Sequence, residues 1–283
     1  MKINIAKSSG FCFGVRRAIN ISKDLAGSKN NVYVLGDIVH NTFVVRELSE
    51  KGVKKIKNLT ARDKGSTLLI RAHGAPKSVF DKAKKCGYKV VDATCPKVKD
   101  IYKIAKRLEK NNKMIIIGDI NHDEVKGIAG QLKTRPITIE SSKRIPVKRL
   151  ARIKKAAVIT QSTQSSDNIR GIMERLKKII PKVKLYDTTC RTTRVKQQEI
   201  RSLPGKNDIV LIVGSKTSAN TKRLYQISRG MNRNTHWIES AKDLKKAWFK
   251  GTKKAGIMAG ASTPDYITKE IVRKLRKISK KQN

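Results

Sequence analysis

Acidic residues are scarce in this 283-residue chain: 22 Asp and Glu stand against 65 Lys and Arg, a formal net charge of +43. An excess of that size raises nucleic acid as a partner. The basic residues, however, are spread along nearly every expected helix, as in "RRAINISKDLAGSK", "KVKDIYKIAKRLEK" and "RGIMERLKKIIPKVK", with no single basic arm and no DNA-binding motif. That distribution reads as solvated helix faces, so no nucleic acid is expected as a partner. Long apolar runs are also missing. No stretch of about 18 apolar residues occurs, and "MKINIAKSSGFCFG" has no apolar signal core. No membrane association is expected, and the expected location is cytoplasmic. Cysteine is sparse, with residues at positions 12, 86, 95 and 190. Four are too few for a disulfide scaffold and suit a reducing compartment, which leaves metal binding or catalysis open for them. What is present is 38% hydrophobic residues, enough for two or three α/β units with buried cores.

The chain repeats itself. One kind of segment runs strand, cysteine, helix: "INIAKSSGFCFGVRRAINIS", "YKVVDATCPKVKDIYKIA" and "VKLYDTTCRTTRVKQQEI". A second runs strand, glycine, then a polar residue four positions on: "VYVLGDIVHN", "MIIIGDINHDE" and "IVLIVGSKTSAN", which pair Gly36 with His40, Gly118 with His122 and Gly214 with Ser218. A third runs strand, polar turn, helix: "TLLIRAHGAPKSV", "AAVITQSTQSSDN" and "AGIMAGASTPDYI", presenting His73, Ser162 with Thr163, and Ser262. Alternating strands and helices predict mostly parallel sheets with ligands gathered at the carboxyl ends of the strands. The expected architecture is α/β, with three related units over 12–95, 96–189 and 190–283, the last joined by the N-terminal strand 1–11. Packed around a pseudo-three-fold axis with the strand ends inward, these units would bring Cys12, Cys95 and Cys190 to the centre.

A thiolate at a helix N-terminus is favoured by the positive end of the helix dipole, and thiolates are the form that nucleophiles and metal ligands require. Three of them can hold a zinc ion with one open position, or a [4Fe-4S] cluster with one iron lacking a protein ligand. Cys86, in "AKKCGYK", lies outside the repeat and reads as a small buried hydrophobe. The other polar residues at strand ends are His40, Asn41, His73, His122, Glu124, Ser162, Thr163, Ser218, Asn220 and Ser262. Hydroxyl, amide and imidazole groups beside glycine-containing turns suit a phosphate or diphosphate. Glu124 follows His122 by two residues; it fits a proton donor whose pKa is raised near a buried anion, and equally an acid in the first turn of a helix. His236 reads as structural. Two competing functions stand on the residues alone: a zinc-dependent hydrolase of a phosphorylated substrate and a basic nucleic-acid-binding protein.

From "GFCFGVRRAI" through "GDIVHN", "RAHG", "DATCP", "HDEVKG", "TQST" and "SAN" to "AGASTP", the chain resembles the 4-hydroxy-3-methylbut-2-enyl diphosphate reductase family. That family supplies the last step of the methylerythritol phosphate route to isoprenoids. The resemblance implies a [4Fe-4S] cluster on Cys12, Cys95 and Cys190, and reductive dehydroxylation to isopentenyl and dimethylallyl diphosphate. It implies that His40, His73, Ser218, Asn220 and Ser262 hold the diphosphate and that Glu124 feeds protons. Ser162, Thr163 and His122 would order the hydroxyl end. A ferredoxin or flavodoxin type electron donor is expected on the same ground. The sequence departs from the usual family pattern at Tyr102, Ser162, Lys196 and Ala219.

Overall fold

The computed structural model describes residues 1–27, 30–61 and 64–280. Its described strands form three four-stranded sheets in which every pairing is parallel. The chain forms two compact units. One comprises Met1–Arg16, His40–Val45 and Arg191–Asn283; the other comprises Arg17–Val39 and Arg46–Cys190.

The second of these holds two sheets. In the first, β2 (Val32–Leu35), β3 (Val53–Ile56), β4 (Thr67–Ile70) and β5 (Lys89–Asp92) lie in the order β3-β2-β4-β5. In the next, β6 (Lys113–Ile117), β7 (Ile137–Ile139), β8 (Lys155–Thr160) and β9 (Lys182–Tyr186) lie in the order β7-β6-β8-β9. The unit that contains the chain start holds the third sheet, in which β10 (Ile209–Val213), β11 (Thr235–Ile238) and β12 (Lys254–Ala259) are completed by β1 (Lys2–Ile5). The order there is β1-β12-β10-β11. Each sheet therefore repeats one path: an inner strand, an outer edge, the other inner strand, the opposite edge. In the third sheet that last place is taken by β1 from the chain start.

The sequence explains which strands are inner. "KMIII", "KAAVIT", "IVLIV" and "KAGIMA" are nearly continuous apolar runs, and β6, β8, β10 and β12 are buried along almost their whole length. Parallel strands covered on both faces need such runs. The edges β1, β5 and β9 are only partly covered. Helices with one apolar stripe close the faces. In α4 (Pro96–Glu109), Val98, Ile101, Tyr102, Ala105 and Leu108 pack on Met114, Ile116, Ala157 and Ile159 of β6 and β8. In α10 (Asp265–Lys280), Ile267, Ile271, Leu275 and Ile278 cover β10 and β12. Each fully buried aliphatic side chain contributes roughly 1.5–3 kcal/mol.

Between the two inner strands of each sheet the winding reverses, and in open α/β sheets a crevice forms there beyond the carboxyl ends. The turns that flank it follow β2 and β4, β6 and β8, and β10 and β12. These turns carry His40 and His73, His122 and Ser162, and Ser218 and Ser262. Among the described residues no helix is long and apolar enough to cross a membrane.

Candidate active site

Cys12, Cys95 and Cys190 hold equivalent places in three separate sheets. Each follows the edge strand that ends the path, β1, β5 or β9. Each stands immediately before a helix: α1 (Phe13–Ala26), α4 or α8 (Arg191–Ser202). Their backbones are anchored alike, because each cysteine N–H donates to a carbonyl in the turn after the neighbouring inner strand. The acceptors are Ala261 for Cys12 (3.1 Å), Ala72 for Cys95 (3.0 Å) and Ser162 for Cys190 (2.9 Å). None of these three helices has an acid in its first turn, so their positive ends face the thiols without a competing carboxylate. The Val15 N–H points at Cys12 Sγ from 3.5 Å. None of the cysteines is in a disulfide. Cys86 differs in its place: it caps the C-terminal end of α3 (Lys77–Lys85), where the dipole disfavours a thiolate, and packs against an apolar cluster with Leu59 and Tyr88. Each of the other three thiols thus stands outside any disulfide at an anchored helix start, Cys12 in one unit and Cys95 with Cys190 in the other, and thiols in such places are the kind of donor that metal groups take as thiolates.

In the unit built on β2 to β9, Glu124 lies in the first turn of α5 (Asp123–Ala129) and is 2% exposed. The Ser162 N–H donates to Glu124 Oε1 and the Ser162 hydroxyl to Oε2, both at 2.6 Å. Burial pushes the Glu124 pKa up, and these two hydrogen bonds pull the other way. The acid is thus both a first-turn helix residue and a group inclined to keep its proton. His122 caps the same helix, its Nδ1 accepting from the Glu124 N–H at 3.1 Å. A ring that accepts at Nδ1 carries its proton on Nε2 in the neutral state. His73 and His122 meet edge to face, with ring centroids 5.5 Å apart. Ala72 and Gly74 flank His73; Gly74 has φ +76, which few side chains tolerate, and a side chain there would also strike the Tyr102 hydroxyl. A side chain on Gly127 would strike the same hydroxyl, so the glycines of "RAHG" and "HDEVKG" make room for Tyr102. The Thr163 hydroxyl is buried without a hydrogen-bond partner.

In the unit built on β1 and β10 to β12, two predicted residues are helix caps. Asn41 Oδ1 accepts from the N–H groups of Phe43 and Val44 at the start of α2 (Thr42–Glu50). Ser218 Oγ accepts from the Thr221 N–H at the start of α9 (Ala219–Met231). Both use an oxygen as acceptor, which leaves the Asn41 amide and the Ser218 hydroxyl able to donate outward. Asn220 is buried and its Nδ2 has no partner. The Ser262 hydroxyl donates to the His40 carbonyl at 3.0 Å and so fixes that backbone.

The predicted residues thus fall into two groups. His73, Cys95, His122, Glu124, Ser162, Thr163 and Cys190 belong to one unit; Cys12, His40, Asn41, Ser218, Asn220 and Ser262 belong to the other. His236 stacks on Trp248, with ring centroids 3.8 Å apart, as a structural residue would. Sequence reasoning missed Gln161, whose Oε1 accepts from the Asp119 N–H at 2.9 Å while its Nε2 is buried and unpartnered. Its place inside "TQST", directly before Ser162, was the available signal.

Known proteins place the chain among relatives that match it end to end. The family described as LytB protein matches residues 3–276. The 4-hydroxy-3-methylbut-2-enyl diphosphate reductase of Geotalea daltonii is 37% identical over 284 residues, covering 100% of both chains. That of Aquifex aeolicus is 35% identical over 285 residues, covering 99% of this chain and 98% of the relative. A solved structure of (E)-4-hydroxy-3-methyl-but-2-enyl diphosphate reductase is similar with a TM-score of 0.70 and 34% identity, over 98% of this chain and 100% of that one. The E-1-hydroxy-2-methyl-but-2-enyl-4-diphosphate reductase of Plasmodium falciparum is similar with a TM-score of 0.88 and 28% identity, over 96% of this chain and 87% of that one.

Proposed function

The chain belongs to the LytB protein family, and we propose that it is a 4-hydroxy-3-methylbut-2-enyl diphosphate reductase of the methylerythritol phosphate pathway. The reaction adds two electrons and two protons to the allylic alcohol. The carbon–oxygen bond breaks, the oxygen leaves as water, and isopentenyl and dimethylallyl diphosphate result. Cys12, Cys95 and Cys190, one after the final edge strand of each sheet, would hold a [4Fe-4S] cluster. When bound, such a cluster would supply single electrons and Lewis-acid iron. The observation that carries this reading is the shared placement of the three thiols, each after the same strand of its sheet and each tied by its N–H to the adjoining turn.

The remaining steps belong to the side chains. Burial raises the Glu124 pKa and so favours the protonated acid that a proton donor needs, and Ser162 orients it through both carboxyl oxygens. His122, with its Nδ1 occupied by the helix cap, offers an Nε2–H donor, and Thr163 offers an unpartnered hydroxyl. These groups order the hydroxyl end of the substrate. His40, Asn41, His73, Ser218, Asn220 and Ser262 receive the diphosphate. The unpartnered Asn220 amide and the outward donors of the two helix caps suit its oxygens, and helix N-termini favour its charge. A ferredoxin or flavodoxin type protein delivers the electrons in the cytoplasm, and the +43 surface favours an acidic partner of that kind.

Purification without oxygen tests the reading. A brown protein with iron and acid-labile sulfide, converting the diphosphate substrate with a chemical reductant, is expected. Serine at Cys12, Cys95 or Cys190 removes activity and Cys86→Ser retains most of it. A colourless protein containing zinc would point instead to the hydrolase, and equal loss in all four variants would break the assignment of ligands.

A further inference from the structure

Helix α8 begins directly after Cys190, and one turn further along it carries a lysine and a glutamate whose contacts run back to the start of the chain. Lys196 is 1% exposed, the largest fully buried side chain among the described residues. Its ammonium donates to the carbonyls of Ser8 and Ala259, the latter at 3.2 Å. Glu199, three residues on and therefore on the same face, accepts from the N–H groups of Lys7 and Ser8 and from the Ser8 hydroxyl. The same segment is tied to β12 and the turn after it: the Gly10 N–H donates to the Ala259 carbonyl, the Cys12 N–H to Ala261, and the Ala259 N–H to Ser9 Oγ. A buried ammonium normally costs stability, and burial here pulls the Lys196 pKa down to about 8 while Cys12, Glu199 and Asp265 favour its charged form. An apolar residue could fill the same volume, so the charge calls for a reason.

We propose that Lys196 and Glu199 are positioning residues for Cys12: together they clamp the Lys7–Cys12 segment onto α8, and the Lys196 ammonium holds a positive charge against the loop that carries the cysteine proposed to anchor the cluster. Glu199 takes the N–H and O–H donors of the segment, and Lys196 takes its carbonyl and that of Ala259. Both polar faces of one short loop are thereby bound by one turn of helix. A rigid loop presents its thiol in one geometry, and a nearby cation offsets the negative charge that thiolates and an added electron bring. The proposal rests on the reading of Cys12 as a cluster ligand.

Three variants test it, Lys196→Met, Lys196→Arg and Glu199→Gln, each accepted only with a cooperative thermal melt. In the protein without cluster, amide exchange at Lys7 and Ser8 should quicken at least about tenfold in Lys196→Met and Glu199→Gln. Exchange around Cys95 should stay as in the parent; a uniform rise across the chain would mean general destabilisation and would overturn the clamp. In the loaded protein, iron release to a chelator should be about tenfold faster in Lys196→Met. The cluster's midpoint potential should fall, and Lys196→Arg should restore both. A folded Lys196→Met protein with parental loop exchange, iron release and potential would refute the proposal. Should the parent bind no iron while the loop exchange still responds to Lys196→Met, the cluster reading fails and the clamp stands.

Discussion

Glu124 and Glu199, in different units of the molecule, each accept two hydrogen bonds from one serine, yet their pKa values move in opposite directions. Each carboxylate receives the N–H and the hydroxyl of one serine just beyond a strand end: Ser162 after β8 for Glu124, Ser8 after β1 for Glu199. Burial pushes both toward the neutral acid. At Glu124 burial wins, because the side chain is almost fully enclosed and two hydrogen bonds are all that oppose it. Glu199 is half-exposed; there the bonds from Ser8, a further one from the Lys7 N–H and the Lys196 charge outweigh burial, and its pKa falls below the ordinary 4.5. Hydrogen bonding alone therefore does not decide whether a glutamate stores a proton or anchors a loop. Enclosure and the nearest cation decide it.

The largest effect should come from removing the proton at Glu124. Glu124→Gln keeps the Ser162 N–H bond through its carbonyl oxygen, its NH₂ can donate to the Ser162 hydroxyl turned to accept, and turnover should fall by about 10²- to 10⁴-fold with the cluster spectrum retained, since an amide donates no carboxylic proton. Near-parental turnover would remove Glu124 from the chemistry. Its raised pKa also has a sign for stability. The folded state holds a proton that the unfolded state has released above pH 4.5, so stability should decline as pH rises through that window, by at most about 1.4 kcal/mol per pH unit. Melts of Glu124→Gln should lack that decline. Glu199→Gln should act on stability instead, by roughly 1–3 kcal/mol, because an amide NH₂ now opposes a donor. The lowered Glu199 pKa gives stability that is present above pH 4.5 and lost as pH falls through the folded value, and its partial exposure weakens that term. A Glu199→Gln protein that melts like the parent at neutral pH would show that the loop does not depend on the acid.

Much of this was legible before any coordinates. The three strand-cysteine-helix segments, the three histidine turns and the three serine turns all lie within a few residues of a strand end, and local sequence encodes such features well. The caps at Asn41, His122 and Ser218 are equally local. The Lys196–Glu199 clamp was not legible. Along α8 these residues look like one more solvated basic and acidic pair in a chain of 65 cations, and their partners lie near the other end of the sequence. Tyr102 stood out only as a departure from the family, and its burial against Gly74 and Gly127 joins segments that no periodicity connects. The completion of the third sheet by β1 follows the repeat, since a strand was missing from the last third and spare at the start.

The smallest and most discriminating change deletes one hydroxyl at each glutamate. Ser8→Ala and Ser162→Ala remove chemically equal hydrogen bonds and leave the backbone N–H in place. At Glu199 the loss should appear as lower stability, about 1 kcal/mol or a few degrees in Tm, because the carboxylate is charged throughout the working range. At Glu124 the same bond lowers the pKa of an acid that works protonated. Its removal should therefore move the alkaline limb of kcat to higher pH by up to about one unit, a shift equivalent to roughly 1.4 kcal/mol. Profiles of kcat against pH with a small chemical reductant, taken beside thermal melts, separate the two outcomes. If Ser162→Ala lowers the melt and leaves the limb in place, Glu124 is an anchor like Glu199, and the proton reaches the substrate from another group.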